Sequence, residues 1–237
     1  MTNRHFGMAI LILLGSAMLL IWLGRYTNAD LYFADAMFDF VKNEFPLRDR
    51  WFFDEFMHQT MKALMIGIGM VPVAVLIADS INGGMLLEDR TRRAFVVVAA
   101  SAALVPISIS ALKSLSIYHC PWSLARYGGY APYLRIFDSL PAKMSAGHCF
   151  PAGHASSALW IPSTAMFFLP KYPVKAYTLF AASLVPGLSL GLAQQARGAH
   201  FLTHTLWSMW FAVLIVLIIA RVVFGQAAAD EVGRLHC

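Results

Sequence analysis

The sequence predicts an all-α polytopic membrane protein with six transmembrane helices and an amphipathic interfacial segment between helices one and two. Of the 237 residues, 59% are hydrophobic and 13% are charged, whereas soluble domains carry about 25% charged residues. The mean hydropathy is +0.62, and long apolar runs occupy much of the chain. We therefore expect a single membrane domain over residues 1–237.

Six nearly uncharged runs each approach the roughly 20 residues that a helix needs to cross a bilayer. The first resembles a signal peptide in composition but lacks a small-residue cleavage site, so we expect an uncleaved helix. Internal prolines leave the count unchanged, because transmembrane helices tolerate them. The runs are Phe6–Gly24, Ala63–Ala78, Ala94–Leu112, Ala155–Pro170, Ala176–Ala196 and Thr205–Ala220.

Residues 26–62 are charged and aromatic rather than uniformly apolar. Within them Phe33, Met37 and Val41 recur at helical spacing, which predicts an amphipathic helix on the membrane surface. Such a helix either packs over the ends of the transmembrane helices or guides lipid towards a site.

The polar residues converge on one side of the predicted membrane. Counting crossings places the loops after helices three and five on the same side and both termini on the other. Three segments meet there: Lys113–Gly129, Cys149–His154 and Arg197–His204. Ionisable groups near membrane depth are costly unless they have a function, so this clustering indicates a functional site.

The residue types in these segments fit an anion site with proton-transfer groups. His154 and His200 offer a general acid and a nucleophile near neutral pH. Gly153 lets the backbone approach a ligand closely, and the start of helix four directs free N–H groups at it. Three cations supply charge for a phosphoryl group: Lys113, Arg126 and Arg197.

A metal site is the competing chemical interpretation. Dinuclear phosphatases need bridging carboxylates, and the acid nearest these loops is Asp138. We therefore expect neither a metal nor another cofactor. The histidines that this alternative would use as ligands are His119, His154, His200 and His204.

The net charge of +5 and the pI near 9.2 do not indicate nucleic acid binding. The basic residues are dispersed singly among apolar segments and form no stripe. An anionic membrane lipid is the partner that this pattern favours.

The three segments resemble the motifs of the type 2 phosphatidic acid phosphatase superfamily, and the resemblance is strongest over residues 63–225. Lys113 with Pro121 matches the first motif, Pro151-Ala-Gly-His154 the second, and the stretch around His200 the third. The resemblance implies a six-helix core with the motifs on one face.

The resemblance also implies a mechanism. His200 would attack phosphorus to give a phosphohistidine, and His154 would protonate the leaving oxygen and later help to activate water. Lys113 and the main chain of Ala152 and Gly153 would hold the phosphate oxygens. In an alternative register His204 is the nucleophile, but the family's Gly-x-His-Tyr/Phe pattern is matched only by His200.

Four positions depart from the family motifs. Two nearby arginines, Arg126 and Arg197, are expected to replace the missing guanidinium groups. His204 is expected to orient His200 by accepting a hydrogen bond. The departures are Cys120 for arginine, Ala152 for serine, Gln194 for arginine and His204 for aspartate.

Cys120 and Cys149 fall at the ends of the first two motifs on the same side. They either remain buried thiols or form a disulfide, which would pin the two phosphate-binding segments together and requires an oxidising compartment. The arginine-rich loop Glu88–Arg93 is typical of a cytoplasmic loop. These patterns, together with the orientation usual in the family that the sequence resembles, predict a bacterial inner membrane protein whose site faces the periplasm.

The leading functional hypothesis is an integral membrane lipid phosphatase acting on a lipid phosphate or diphosphate, with undecaprenyl diphosphate first among the substrates. A second is a lipid A phosphatase or phosphotransferase, since a phosphohistidine can be resolved by water or by another phosphate. A third is a non-catalytic lipid-binding or transport protein, which the four departures would explain.

Overall fold

The structure is a computed structural model that describes residues 3–235, with side chains described for residues 6–225. Every regular element in this part of the chain is helical, which confirms the all-α prediction. Five helices are long and apolar enough to cross a membrane. The α-helices are α1 (Asn3–Tyr26), α2 (Ala29–Asp35), α3 (Met61–Ile81), α4 (Asp89–Ser114), α5 (Gly153–Ser156), α6 (Pro173–Ala196) and α7 (Leu202–Leu235).

The turn between α3 and α4 is fixed by one buried carboxylate. Asp79 accepts hydrogen bonds from the main-chain N–H groups of Leu86 and Leu87, both at 3.0 Å. Arg92 in the first turns of α4 donates to the same carboxylate at 2.6 Å. This contact sets the two helices side by side, the arrangement on which the groove described below depends.

The fourth apolar run does not form a continuous α-helix. It comprises the four-residue α5, turns, and a 3-10 helix over Ile161–Phe167. The run still crosses the bundle, because Gly153 lies beside Lys113 at the end of α4 and Met166 packs with Ala94 at its beginning. An irregular segment therefore makes the fourth of the six crossings. The prediction of six transmembrane helices holds for the other five.

Hydroxyl side chains account for the break in this run. Ser156, Ser157, Ser163 and Thr164 each donate to the carbonyl oxygen three residues earlier, in competition with the main-chain bonds of an α-helix. Pro162 adds a residue without an N–H group. Irregular backbone is tolerated at membrane depth only where protein surrounds it, and this run packs against α4, α6 and α7.

The interfacial segment differs from the predicted amphipathic helix. α2 ends at Asp35, and Val41 is 95% exposed rather than aligned with Phe33 on an apolar face. The carboxylate of Asp39 accepts the N–H groups of Val41 and Lys42 at 2.9 and 3.0 Å, a turn contact that competes with continued helix.

Aromatic packing shows what this segment covers. Phe38 and Phe45 are buried against Tyr127 with ring centroids 5.0 and 5.4 Å apart. The same cluster contains Leu124 and Phe201, which flank the first and third motifs. The segment thus packs over the motif loops, the first of its two expected roles.

The second long helix begins earlier than the apolar run suggests. A π-helix over Phe52–Thr60 continues directly into α3, so that the combined helix spans Phe52–Ile81. It carries Asp54 and His58 towards the motif side of the bundle. π-Helical turns are rare and occur frequently at functional sites.

Candidate active site

Main-chain hydrogen bonds join the three motif segments. The Ala152 N–H donates to the His204 carbonyl at 3.1 Å, and Ser208 Oγ donates to the Ala152 carbonyl at 3.0 Å. The Trp122 N–H donates to the Gly198 carbonyl at 3.0 Å. The fold therefore brings together the segments that the sequence predicts to meet.

A disulfide links Cys120 and Cys149, with their Cα atoms 5.3 Å apart, the pairing considered from the sequence. Cys149 Sγ lies 3.6 Å from His200 Nδ1 and 3.0 Å from the Ala199 carbonyl oxygen. The oxidised sulfur has no proton to donate, so in its contact with the histidine it can only accept from Nδ1–H of the ring. The cystine thus closes one side of the His200 ring.

His200 lies in the short loop between α6 and α7 and is only 3% exposed. Gly198 makes this loop possible with a φ of +72°, and a Cβ there would lie 2.4 Å from the Phe45 ring. Burial holds the pKa of His200 well below its ordinary value, and the neighbouring His204, Lys113 and His154 lower it further. A neutral imidazole is the form that attacks phosphorus.

His154 and Lys113 line a common recess. A Cβ on Gly153 would lie 3.7 Å from Lys113 Cδ, so the glycine allows this lysine to pass close to the main chain. Lys62 from α3 lines the same recess as Lys113 and His154. Lys62 was not predicted from the sequence, because it falls at the edge of a long apolar run without a motif.

Arg197 is buried and is held by three acceptors. Its Nε donates to the Arg48 carbonyl at 2.8 Å, NH1 to Gln194 Oε1 at 3.2 Å, and NH2 to Asp54 Oδ1 at 2.5 Å. Its charge acts on His154, so the structure brings it to the site. Gln194, where the family motif has arginine, holds this guanidinium in place.

Arg126 is not brought to these groups by its contacts in the structure. Its Nε and NH2 form a two-point ion pair with Asp35 at 2.8 and 2.6 Å, and Tyr127 Oη donates to the same carboxylate. The guanidinium holds the pKa of Asp35 below its usual value. The expected replacement for the arginine lost at Cys120 is therefore used to fasten the loop to α2.

Two other expectations change in detail. The N–H of Ala152 is used by His204, so it is not free for a phosphate oxygen. The ring centroids of His200 and His204 lie 5.8 Å apart in an edge-to-face arrangement. Both rings face the main chain of Cys149. His204 is thus a packing neighbour of His200 and no hydrogen bond joins the rings.

The start of α7 is fixed by the carboxylate of Asp30, which was not predicted from the sequence. Asp30 on α2 accepts the Thr203 N–H at 2.8 Å and the Thr203 Oγ1 hydrogen bond at 2.6 Å. Burial raises the pKa of Asp30, although the hydrogen bonds from Thr203 oppose this. The contact ties the third motif to the interfacial segment.

An apolar groove of about 290 Å³ leaves the site between α3 and α4. Its polar end carries Lys62, Lys113 and His154, whereas His200 is buried and does not line the groove. Apart from three serines, the remainder is lined mainly by apolar side chains, among them Met65, Ile66, Met70, Val73 and Pro106. A molecule with an anionic head and one apolar tail matches this distribution.

Possible metal donors also meet at the site. One ligand atom from each of Cys149, His200 and His204 lies within 4.8 Å of the others. Because Cys149 is in a disulfide, it has no thiolate to offer, and two imidazoles without a carboxylate are a poor set for a catalytic ion. His119, a further ligand of the metal hypothesis, packs against Tyr130 in the loop.

A comparison with family models matches residues 94–227 to the PAP2 superfamily. The match covers more than half of the chain and includes all three motif segments, so the chain belongs to this superfamily. A comparison with curated proteins and one with solved structures each found no match. Members of the superfamily are generally phosphatases.

Proposed function

We propose that this protein is a membrane phosphatase that removes phosphate from a lipid phosphate or diphosphate through a phosphohistidine, without a metal. The observation that carries the proposal is the groove whose one polar end holds Lys62, Lys113 and His154. Two ammonium groups at the mouth of an apolar channel match a phosphorylated lipid head. Membership of the PAP2 superfamily supports the same chemistry.

In the first step Nε2 of His200 attacks phosphorus and the bond from phosphorus to the lipid-side oxygen breaks. His154 gives its proton to that oxygen as it leaves. The Nδ1 side of His200 is closed by the cystine at 3.6 Å, which leaves the other nitrogen for attack. Lys113 and the Gly153 N–H meet the charge that develops on the phosphoryl oxygens.

In the second step water attacks the phosphohistidine and the bond from phosphorus to His200 breaks. His154, now neutral, takes the proton from that water and is ready for another cycle. Inorganic phosphate leaves, and the buried setting of His200 limits access of further water to the intermediate.

We place undecaprenyl diphosphate first among the substrates, because one narrow groove suits a single-chain lipid better than lipid A with its several acyl chains. The site would face the periplasm of a bacterial inner membrane. The cystine at Cys120 and Cys149 supports an oxidising compartment on that side.

The test is phosphate release from a panel of detergent-solubilised lipids, containing undecaprenyl diphosphate, phosphatidic acid and lipid A, with and without EDTA. We expect release from the single-chain diphosphate to be fastest and EDTA to leave the rate unchanged. Loss of activity in EDTA with recovery on adding one divalent ion would refute the metal-free mechanism. Transfer of phosphate to a second lipid instead of water would identify a phosphotransferase.

A further inference from the structure

A row of side chains runs from Arg197 to His154 through two residues of the π-helix. Arg197 NH2 lies 2.5 Å from Asp54 Oδ1, and the same oxygen lies 3.7 Å from His58 Nδ1. The rings of His58 and His154 then face each other, with centroids 3.9 Å apart and a tilt of 39°. At 3.7 Å Asp54 acts on His58 through charge rather than through a hydrogen bond.

The charges around His154 explain why a carboxylate matters at this place. A proton on His154 is repelled by cations from the helix Phe52–Ile81, from α4 and from the end of α6, and Asp54 brings a negative charge to this group of described residues. The groups that face His154 are His58 and Lys62 from the helix Phe52–Ile81, Lys113 from α4, Arg197 after α6, and His200.

We propose that Asp54 and His58 are positioning residues for His154, and the proposal rests on the phosphatase function given above. His58 holds the His154 ring by face contact, and Asp54 offsets the surrounding cations so that His154 can carry the proton it donates. That proton moves to the leaving lipid oxygen as its bond to phosphorus breaks. A proton from the attacking water returns to His154 as the bond from phosphorus to His200 breaks.

The placement also accounts for a missing group. The third motif has His204 where the family has an aspartate, and no hydrogen bond joins His204 to His200. Asp54 restores a carboxylate to the site from a different helix and on the side of the acid rather than of the nucleophile. The π-helix makes this possible, since it carries Asp54 and His58, four residues apart, on the side that meets His154.

The experiment compares His58→Ala, His58→Asn and Asp54→Asn on two substrates. With a lipid phosphate the leaving alkoxide needs a proton, and we expect kcat to fall about tenfold or more, part of the 10²–10⁴-fold of a general acid. KM should stay within about twofold, because none of the three variants changes a phosphate-binding group. With p-nitrophenyl phosphate, whose leaving group needs no proton, kcat should fall by less than about twofold.

His58→Phe keeps a ring against His154 and leaves the Arg197 to Asp54 ion pair intact, so it should recover most of the activity lost in His58→Ala and separates positioning from folding. Glu55→Gln is the matched control, because Glu55 lies on the same π-helix and its carboxylate contacts only exposed Gln59 in the described hydrogen bonds. Equal losses on both substrates, or losses as large in Glu55→Gln, would overturn the positioning role.

A readout that does not depend on turnover distinguishes this inference from the proposed function. Histidine-ring NMR of labelled protein in detergent, assigned with His154→Ala, should show the His154 titration midpoint displaced by about half a pH unit or more in Asp54→Asn. Glu55→Gln should leave it in place. An unchanged midpoint in Asp54→Asn would refute positioning even if wild-type protein hydrolyses lipid phosphates. A changed midpoint in a protein inactive on the whole lipid panel would refute only the phosphatase function.

Discussion

The two histidines proposed for catalysis occupy contrasting surroundings. His200 is packed against a cystine and a second imidazole, with its contacts made to main chain and sulfur. His154 stands among cations and stacks on His58, through which it is connected to the carboxylate of Asp54. A nucleophile needs a neutral ring, which the burial of His200 favours, whereas the cations around His154 oppose the proton that a general acid must carry.

The largest expected effect is that of His200→Ala, which removes the attacking nitrogen. Turnover on every lipid phosphate should fall below detection, whereas lipid binding should remain, because the polar end of the groove is unchanged. Trapping with ³²P-labelled substrate should find no phosphohistidine in this variant. His119→Ala is the control for loss of a buried loop histidine, and labelled phosphohistidine at His154 or His204 would contradict the assignment.

Removal of the cystine should affect both the stability of the protein and the surroundings of His200. The bond closes a sequence separation of 29 residues, for which chain entropy suggests about 3–4 kcal/mol of stability. Cys120→Ser with Cys149→Ser should lower the thermal midpoint markedly and reduce kcat, because His200 loses the wall at its Nδ1 side. Non-reducing peptide mapping of membrane-extracted wild type should find the two cysteines linked, and free alkylation of both would contradict the bond.

Lys62→Gln should weaken binding of the lipid head more than it slows chemistry. We expect KM to rise about tenfold, equivalent to about 1.4 kcal/mol, with kcat within about threefold of wild type. Lys42→Gln is the matched control, since its side chain is exposed and pairs only weakly with Asp39 at 4.0 Å. A KM for Lys62→Gln no different from that of the control would remove Lys62 from the phosphate site.

The pH dependence tests the His200 environment directly. Its pKa lies well below 6.5 because the ring is buried, so it stays neutral in mildly acidic solution. Activity limited by His200 should therefore persist below pH 6.5, and the acid limb of the kcat/KM profile should lie at a lower pH than for an ordinary histidine. Because of the same shift, the unfolded state binds more protons than the folded state below pH 6.5. The free energy of unfolding therefore falls as the pH falls below 6.5. A kcat/KM profile with an acid limb at the ordinary histidine pKa would contradict the buried neutral ring.

The smallest effect on catalysis is expected for Arg126. Both Arg126→Lys and Arg126→Ala should keep kcat/KM within about twofold of wild type, since the guanidinium is paired with Asp35 rather than with the phosphate site. Arg197→Lys, which breaks a buried set of contacts, provides the contrast and should lose much more. A clear loss in Arg126→Lys would instead support a phosphate-binding role.

Much of the fold follows from patterns visible in the sequence, because long apolar runs have few alternatives to a membrane helix. The prediction of a continuous fourth helix was wrong for a local reason. Hydropathy does not report hydrogen bonds from side-chain hydroxyls to the main chain, which are made here by Ser156, Ser157, Ser163 and Thr164. The interfacial helix was overextended because the spacing of Phe33 and Val41 carries no information about the turn at Asp39.

The candidate site was foreseen where residues form contiguous motifs and missed where partners come from distant helices. His154, His200 and Lys113 lie in short patterns with chemical meaning. Asp54, His58 and Lys62 precede α3 or begin it, and only the packing of that helix against α4 and α6 reveals their neighbours. Arg126 was assigned by proximity in sequence, whereas its partner Asp35 lies 91 residues away.

The irregular fourth crossing bears on the order in which the protein assembles. An isolated α-helix satisfies its own main-chain groups and can enter a bilayer alone, but a segment of turns and 3-10 helix leaves groups that lipid cannot satisfy. Residues 153–168 therefore gain a favourable environment only after α4, α6 and α7 surround them. Because His154 lies at the head of that segment, the proposed acid reaches the proposed nucleophile only on completion of the bundle, and we expect a partly inserted chain to be inactive.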